Sequence, residues 1–229
     1  MQHQQPVNRR LATLRQKLCK SKTDFCQECF TRSSFWQCQN PPNVFRDHDA
    51  EVNSEFFFVF DKPNDNDPFR ASNLIPITIL DNRSEFSNPT RRNLITLFDI
   101  LGIQRCSDGI DPLCSKQVHI TNAVKCDKCA ATGQTGRIKI GSHQVQACLN
   151  RFFYEELSIL QPRAILFFGK NPDDYVTGRS GKLWAFRQEV INGKTYDVVR
   201  VPHTTSRPFN THGKGGQAYQ VKLKNLFSS

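Results

Sequence analysis

The chain has 229 residues, of which 38% are hydrophobic and 23% are charged, a composition that suits one α/β domain with a buried core and excludes wholesale disorder. No stretch approaches the ~20 apolar residues that a membrane-spanning helix needs, and the N-terminus lacks the apolar core of a signal peptide, so we expect a cytoplasmic protein. The formal net charge of +10 favours an acidic polymer such as nucleic acid as the partner.

The positive charge is concentrated at the two ends of the chain. The first 22 residues contain six basic residues and no acidic residue, and no acidic residue follows Asp197. Basic segments bind nucleic-acid phosphates and gain free energy when counterions are released. A basic protein that is merely kept soluble by its charge is the alternative interpretation of this pattern.

The first predicted elements are a helix, a strand and a second helix. Leu11, Leu14 and Leu18 recur at helical spacing near the N-terminus and predict a short amphipathic helix. The continuous apolar run Phe56–Phe60 predicts a strand that is buried on both faces. Residues 88–101 carry a proline suited to a first helical turn and predict the second helix.

The remaining elements continue the alternation of strand and helix. Residues 117–122 and 163–168 predict strands, residues 144–160 predict the longest helix, and residues 184–201 predict a hairpin with an Asn-Gly turn. This order predicts a single-domain α/β fold with a central, mostly parallel open sheet flanked by helices. Ligands of such sheets bind at the carboxyl ends of the strands.

Polar side chains stand at three of these strand ends. Asp61 follows the first strand, Asn122 ends the second, and His203 follows the last. A carboxylate can orient water or stabilise a cation, an amide can read a base edge, and an imidazole can stabilise a leaving anion. Each residue by itself is more often a cap, a turn or a satisfied core residue. Together they predict a hydrolytic site.

Nine cysteines occur in a chain with no export signal, which favours metal binding or reactive thiols over disulfides. Two pairs have the C-x-x-C spacing, Cys26 with Cys29 and Cys126 with Cys129. Two residues between thiolates let both sulfur atoms bind one centre, as zinc ribbons and iron–sulfur sites require. The ordinary interpretation of the other five cysteines is a small buried apolar residue.

Several enzyme classes are excluded by the motifs. The glycine- and lysine-containing segments 178–182 and 213–216 lack the spacing of a phosphate-binding loop, so a nucleoside triphosphatase is rejected. No G-x-S-x-G or H-E-x-x-H sequence occurs. A zinc nucleobase deaminase is also excluded, because no H-x-E sequence precedes a P-C-x-x-C sequence. The loop around Lys214 is either a contact to DNA phosphate or a flexible turn.

Three segments together resemble a known family. They are T-N-A-V-K-C at residues 121–126, the alanine–cysteine pair ending at Cys148, and L-Q-P-R-A-I-L-F-F-G at residues 160–169. They resemble the iron–sulfur (family 4-like) branch of the uracil-DNA glycosylase superfamily, as do the N-terminal C-x-x-C and the H-T-T-S that begins at His203. The similarity covers roughly residues 26–210. It implies a three-layer α/β/α fold.

The resemblance also implies a metal centre. A [4Fe–4S] cluster would be held by Cys26, Cys29, Cys126 and Cys148, and it would join the N-terminal segment to the sheet across a long stretch of chain. A Zn²⁺ ion with Cys129 in place of Cys148 is the alternative, because that set would make a tetrahedral site.

Residue roles follow from the same resemblance. Asp61 matches the carboxylate that orients water, and His203 matches the imidazole that faces the base carbonyl. Asn122 matches the amide that reads the pyrimidine edge, and Phe86 matches the ring on which the base stacks. Polar residues replace the family's residues at four positions around the site and are expected to contact the base: Lys62, Asn64, Asn88 and Thr204. The residues expected to contact DNA are Ser206, Arg207, Phe209 and Lys214.

These roles together predict a monofunctional DNA glycosylase that flips a pyrimidine-type base and hydrolyses its N-glycosidic bond, leaving an abasic site. The base is uracil, which indicates DNA repair, or a modified cytosine such as the hydroxymethylated or glucosylated base of phage DNA, which indicates phage defence. The alternative is a catalytically inactive, metal-stapled nucleic-acid-binding module. We expect a monomer with a basic helical arm at residues 1–25 and a catalytic domain at residues 26–229.

Overall fold

A computed structural model describes residues 55–61, 89–105, 115, 117–124 and 142–204, together with positions 7, 9–11, 13, 14, 221 and 225. The strands in these ranges are β1 (Phe56–Phe60), β2 (Val118–Asn122), β3 (Ala164–Phe168), β4 (Phe186–Ile191) and β5 (Lys194–Val201). The helices are α1 (Pro89–Leu101), α2 (Ser142–Cys148), a π-helical segment (Leu149–Phe153), α3 (Tyr154–Leu160) and α4 (Lys170–Thr177).

The five strands form one sheet in the order β2-β1-β3-β5-β4. All neighbouring pairs are parallel except the hairpin of β4 with β5. The register pairs Phe60 with Asn122 and Phe168 with Val201. Four strands therefore end at the same edge of the sheet, and the predicted α/β fold is confirmed.

The apolar run of β1 suits its place inside the sheet, where β2 and β3 flank it. Successive side chains of a strand point to opposite faces. Phe57 and Val59 accordingly lie in one core cluster, whereas Phe58 and Phe60 lie in the other. Both faces of β1 are covered, which explains why its sequence does not alternate between apolar and polar residues.

Each face of the sheet has its own layer of helices. Residues of α2, the π-helical segment and α3 fill the first core, together with Leu11 and Leu14. Helix α1 packs into the second core through Leu94, Leu97 and Phe98. Leu11 and Leu14 are helical and buried, as the leucine spacing predicts. The boundary at residue 25 lies outside the described residues and stays a prediction.

The predicted helix 144–160 is observed as a continuous helical segment that changes from α-helix to π-helix and back to α-helix. Helix α2 begins two residues earlier, at Ser142, and the π-helical segment separates it from α3. A buried polar group anchors α3 to β2. The carboxylate of Glu156 accepts a hydrogen bond from Thr121 Oγ1 at 3.0 Å and lies 2.8 Å from His119 Nε2. All three residues are buried, so this contact satisfies polar groups that burial would otherwise destabilise.

Helix α4 is not predicted by the sequence analysis, because Asn171, Pro172 and two aspartates read as a turn. Its Asp173 is fully buried and binds the guanidinium of Arg187 on β4. The same carboxylate accepts a hydrogen bond from the N–H of Gly181 at 2.8 Å. These contacts attach the loop after α4 to the sheet.

The hairpin of β4 and β5 is confirmed, with Asn192 and Gly193 at its turn. Both residues have positive φ angles, 50° and 78°, as a two-residue hairpin turn that continues the twist of the strands requires. Across the described part of the chain, no helix combines the length and the apolar character that crossing a bilayer demands.

Candidate active site at the carboxyl ends of the strands

Three polar residues lie near Phe60 at the carboxyl edge of the sheet. Asp61 follows Phe60 directly, and Asn122 is the register partner of Phe60 on β2. His203 packs its ring edge-on against Phe60, with centroids 5.5 Å apart and an interplanar angle of 83°. The structure therefore brings together the three residues singled out at the strand ends.

Two stacked aromatic rings lie at the same edge of the sheet as these polar groups. Phe60 and Phe168 are stacked, with centroids 4.5 Å apart and planes within 5° of parallel. Register partners on neighbouring strands point to the same face of a sheet, so the side chain of Asn122 lies on the face of this stack. Asn122 is 9% exposed. Apolar side chains with a few fixed polar groups are typical of small-molecule and base-binding pockets.

Asp61 is held on two sides. Its backbone carbonyl accepts a hydrogen bond from the N–H of Val124 at 3.0 Å, which ties it to β2. Its Oδ2 accepts a hydrogen bond from Nδ2 of Asn171 at 2.9 Å. Its Oδ1 is buried and has no hydrogen-bond partner among the described residues. This oxygen therefore keeps its full capacity to accept a hydrogen bond from a ligand or water.

Burial lowers the pKa of His203, and the nearby carboxylate of Asp61 offsets part of that shift by raising it. The imidazole is consequently neutral at neutral pH, and a neutral imidazole carries one ring N–H donor. The turn from β3 into α4 lies against this histidine. Gly169 there has a φ of 103°, a conformation that a residue with a side chain rarely adopts, and its N–H donates to the carbonyl of Val201 at 2.9 Å.

Helix α4 points two residues of one face at Asp61. Asn171 and Tyr175 are four residues apart, which places them on the same side of a helix. Burial raises the pKa of the Tyr175 phenol, and the negative charges of Asp61 and Asp174 raise it further. The phenol therefore stays protonated and neutral beside the carboxylate.

The segment after His203 is fixed to α1. Thr204 is fully buried, and its carbonyl accepts a hydrogen bond from Nδ2 of Asn93, which is also buried. Its Oγ1 has no hydrogen-bond partner in the described part of the chain. A contact between residues so far apart in the sequence orients the backbone that carries the imidazole.

Other predicted site residues lie outside the described residues. They are the base-contacting Lys62, Asn64, Phe86 and Asn88, the DNA-contacting Ser206, Arg207, Phe209 and Lys214, and the cysteines Cys26, Cys29, Cys126 and Cys129.

Cys148 is the one proposed metal ligand within the described residues. It ends α2, is 4% exposed, and belongs to the core cluster that also contains Leu11 and Leu14. A buried sulfur donor on the face that holds the N-terminal residues fits a cluster that joins N-terminal cysteines to the sheet. Within the described ranges no group of three or more metal-binding side chains is found.

Sequence reasoning missed three contributors to this site, Asn171, Asn93 and Phe168. Phe168 was assigned only to a strand, and its stacking against Phe60 depends on the sheet register. Asn171 carried a signal, since it comes three residues after the end of β3. Asn93 carried none, because a polar residue in an amphipathic helix is usually exposed.

An open α/β sheet with an acid, an amide and an imidazole at its carboxyl edge defines an α/β protein with polar side chains at the edge where proteins of this class bind ligands. The family model for the uracil DNA glycosylase superfamily matches residues 69–226, more than half of the chain, so the chain belongs to this superfamily. Comparison with curated proteins gave no match. Membership supports a DNA glycosylase type of function with DNA as the partner.

The matched segment has a bearing on the individual site residues. Residues 69–226 include Asn122, Cys148 and His203, but they begin after Asp61. The case for Asp61 therefore depends on its position in the structure. The iron–sulfur branch stays a prediction, because the N-terminal cysteines also precede the match.

Proposed function

We propose that the protein is a monofunctional DNA glycosylase that extrudes a pyrimidine-type base from DNA and hydrolyses its N-glycosidic bond, leaving an abasic site. The observation that supports this proposal is the position of Asp61, Asn122 and His203 near Phe60 at the carboxyl edge of one sheet. These side chains supply the three functions that the reaction needs: a carboxylate, a reader of the base edge, and a donor to the leaving base.

The flipped base would be held by its edge and its face. The Asn122 side chain offers both an N–H donor and a carbonyl acceptor, which is the pair of groups that the edge of a pyrimidine requires. Its burial at the end of β2 keeps water from competing for those hydrogen bonds. The resemblance assigns the stacking contact to Phe86.

His203 and Asp61 then each contribute to the bond-breaking step. As the bond between C1′ and the base nitrogen breaks, its electron pair leaves with the base, and the neutral imidazole of His203 donates a hydrogen bond to the developing anion. The sugar acquires oxocarbenium character, which the negative carboxylate of Asp61 stabilises. A water oxygen then bonds to C1′, Asp61 accepts a water proton, and the departing base takes up a proton from solvent.

Two substrate classes fit the proposal. One is uracil, and the other is a cytosine that carries a hydroxymethyl group or a sugar. The second class is favoured by polar residues at positions where the family has glycine, alanine or proline: Lys62, Asn64, Asn88 and Thr204. The Thr204 hydroxyl has no hydrogen-bond partner among the described residues. A repair role follows from uracil, and a defence role against phage follows from a modified cytosine.

The metal centre and the DNA contacts belong to the same proposal. The four cysteines Cys26, Cys29, Cys126 and Cys148 would hold a [4Fe–4S] cluster that supplies structural stability and takes no part in hydrolysis. A Zn²⁺ ion with Cys129 is the alternative. The basic ends of the chain, with Ser206, Arg207, Phe209 and Lys214, would hold the DNA backbone.

Replacing Asp61 with Asn tests the catalytic role. The substitution keeps size and keeps an oxygen that can accept the hydrogen bond from Asn171, but it removes the charge that stabilises the cation. We expect base release to fall by about 10²- to 10⁴-fold, while DNA affinity is kept. Wild type and variant are incubated with uracil-containing, unmodified and phage-modified DNA, and released bases are identified by mass spectrometry.

The matched control is Asp197→Asn, which removes the same charge from an exposed residue of β5 and should leave base release unchanged. Wild-type protein that binds DNA but releases no base from any of the three substrates would contradict the proposal. That result would instead favour a catalytically inactive nucleic-acid-binding module.

A further inference from the structure

We propose that Asn171 is a positioning residue that holds the Asp61 carboxylate through Oδ2, so that Oδ1 is the oxygen that receives the attacking water. This inference rests on the proposed function and deepens it. It concerns a residue that no sequence motif singles out, on a helix that the sequence analysis did not predict.

The geometry separates the two carboxylate oxygens. Nδ2 of Asn171 lies 2.9 Å from Oδ2 of Asp61, a normal length for an N–H···O hydrogen bond. Oδ1 is buried and has no partner among the described residues. A buried carboxylate oxygen without a partner is costly, and a bound water or substrate group would satisfy it. The free oxygen is therefore the one suited to the nucleophile.

The support for Asn171 comes from the rigid turn between β3 and α4. Gly169 adopts a φ of 103°, and the helix begins at the next residue, Lys170. Asp61 and Asn171 are separated by 110 positions in the chain, yet β1 and β3 are parallel neighbours in the sheet. The strand pairing thus places the amide directly over the carboxylate.

The amide does two things for a carboxylate in this position. An N–H donor stabilises the charged form of its acceptor, and it fixes the rotation of the carboxylate about its Cβ–Cγ bond. Without it the carboxylate would turn to other angles about this bond, and its second oxygen would leave the position from which it can accept a hydrogen bond from the water. A displacement of about 1 Å at the reacting centre can cost about 100-fold in rate.

Asp61 also faces titratable groups on two elements. Its charge acts on His203 after β5 and on Tyr175 of α4. Both are neutral at neutral pH, since burial disfavours imidazolium and phenolate alike. Among the described residues, Asn171 is the neighbour that donates a hydrogen bond to this carboxylate.

Two substitutions test the inference. Asn171→Ala removes the donor, and we expect kcat for base release to fall about 10- to 100-fold with DNA affinity unchanged. Asn171→Asp places a second carboxylate against the first, so the acidic limb of the pH–rate profile should move upward by about one pH unit. Ordinary loss of structural support would lower the rate without moving that limb.

Asn150→Asp is the matched control. Asn150 is exposed, and its Oδ1 accepts a hydrogen bond from Nε2 of Gln146 at 3.1 Å, which an aspartate can accept equally well. The control adds the same charge away from the site and should change neither kcat nor the pH profile. An Asn171→Ala protein with wild-type kcat overturns the positioning role.

A measurement independent of catalysis separates this inference from the proposed function. The Cγ carbon of Asp61 is followed by carbon NMR through a pH titration, with Asp61→Asn used for assignment. Its titration should move to higher pH in Asn171→Asp and stay in place in Asn150→Asp. No movement overturns the contact whether or not the protein releases a base from DNA. An inactive wild type with the expected movement overturns the glycosylase proposal and leaves the contact established.

Discussion

His203 shows how one buried side chain links pH to stability. Burial lowers its pKa in the folded protein, against a partial opposing effect of Asp61, whereas in the unfolded chain the value is about 6.5. Between the folded pKa and that value, the unfolded state binds more protons than the folded state. Stability therefore rises with pH across this window and is lost as the pH falls through it.

We predict that His203→Gln flattens the fall in stability below about pH 6.5, because the variant has no imidazole to protonate. Denaturant unfolding of both proteins at a series of pH values measures the effect. His143→Gln, which replaces an exposed histidine at the start of α2, should keep the wild-type pH dependence. Parallel curves for wild type and His203→Gln would show that the imidazole is not desolvated.

Only those residues of the candidate site that stand at the ends of strands were predictable from the sequence. Asp61, Asn122 and His203 could be found because an apolar run stops at a polar residue, which is a local signal. Asn93 could not, since its partner is distant in the chain and only the folded structure brings the two together. Asn171 could be noticed by its position shortly after β3, but its contact with Asp61 could not be predicted, because 110 positions separate the two residues. The roles of the three strand-end residues stay proposals until activity is measured.

Among the elements, those in which burial or turn chemistry leaves a local pattern in the sequence were predictable. The apolar β1 and β3 and the Asn-Gly hairpin were predicted correctly. Helix α4 was missed because Pro172 and its polar neighbours read as a turn, although proline is tolerated in the first turn of a helix. The π-helical segment was missed because one extra residue per turn leaves little trace in an apolar helix.

The contact between α4 and the hairpin provides a stability test at the level of elements. The side chain of Arg187 is 17% exposed and its partner Asp173 is fully buried. Removing one partner of a buried ion pair leaves the other charge unpaired and costs about 3–5 kcal/mol. We predict a loss of that size for Arg187→Ala, measured by denaturant unfolding.

Arg179→Ala is the matched control. Arg179 also binds a carboxylate of this region, that of Glu189, but its side chain is 69% exposed. Solvent screens such a pair, so its loss should cost less than about 1 kcal/mol. Equal losses for the two arginines would show that the Asp173 contact is not specially stabilising.

At the scale of the whole molecule, the proposed metal centre would join the N-terminal segment to the sheet. We predict that purified protein is brown and contains iron, and that Cys148→Ser loses both colour and stability because a thiolate ligand is removed. Cys129→Ser is the control and should retain the colour. Metal analysis and visible absorption decide between an iron–sulfur cluster and a zinc ion. A colourless protein that contains zinc and depends on Cys129 would support the zinc alternative.

The position of β1 between β2 and β3 has a consequence for how the protein is made. Roughly a hundred residues separate β1 from β3, and a ribosome that adds about 5–20 residues per second needs roughly 5–20 s to supply them. Until then one edge of the segment Phe56–Phe60 has no strand to pair with, and short apolar segments of high β-propensity are prone to aggregate. The growing chain is therefore most prone to aggregate through this segment before β3 has been synthesised.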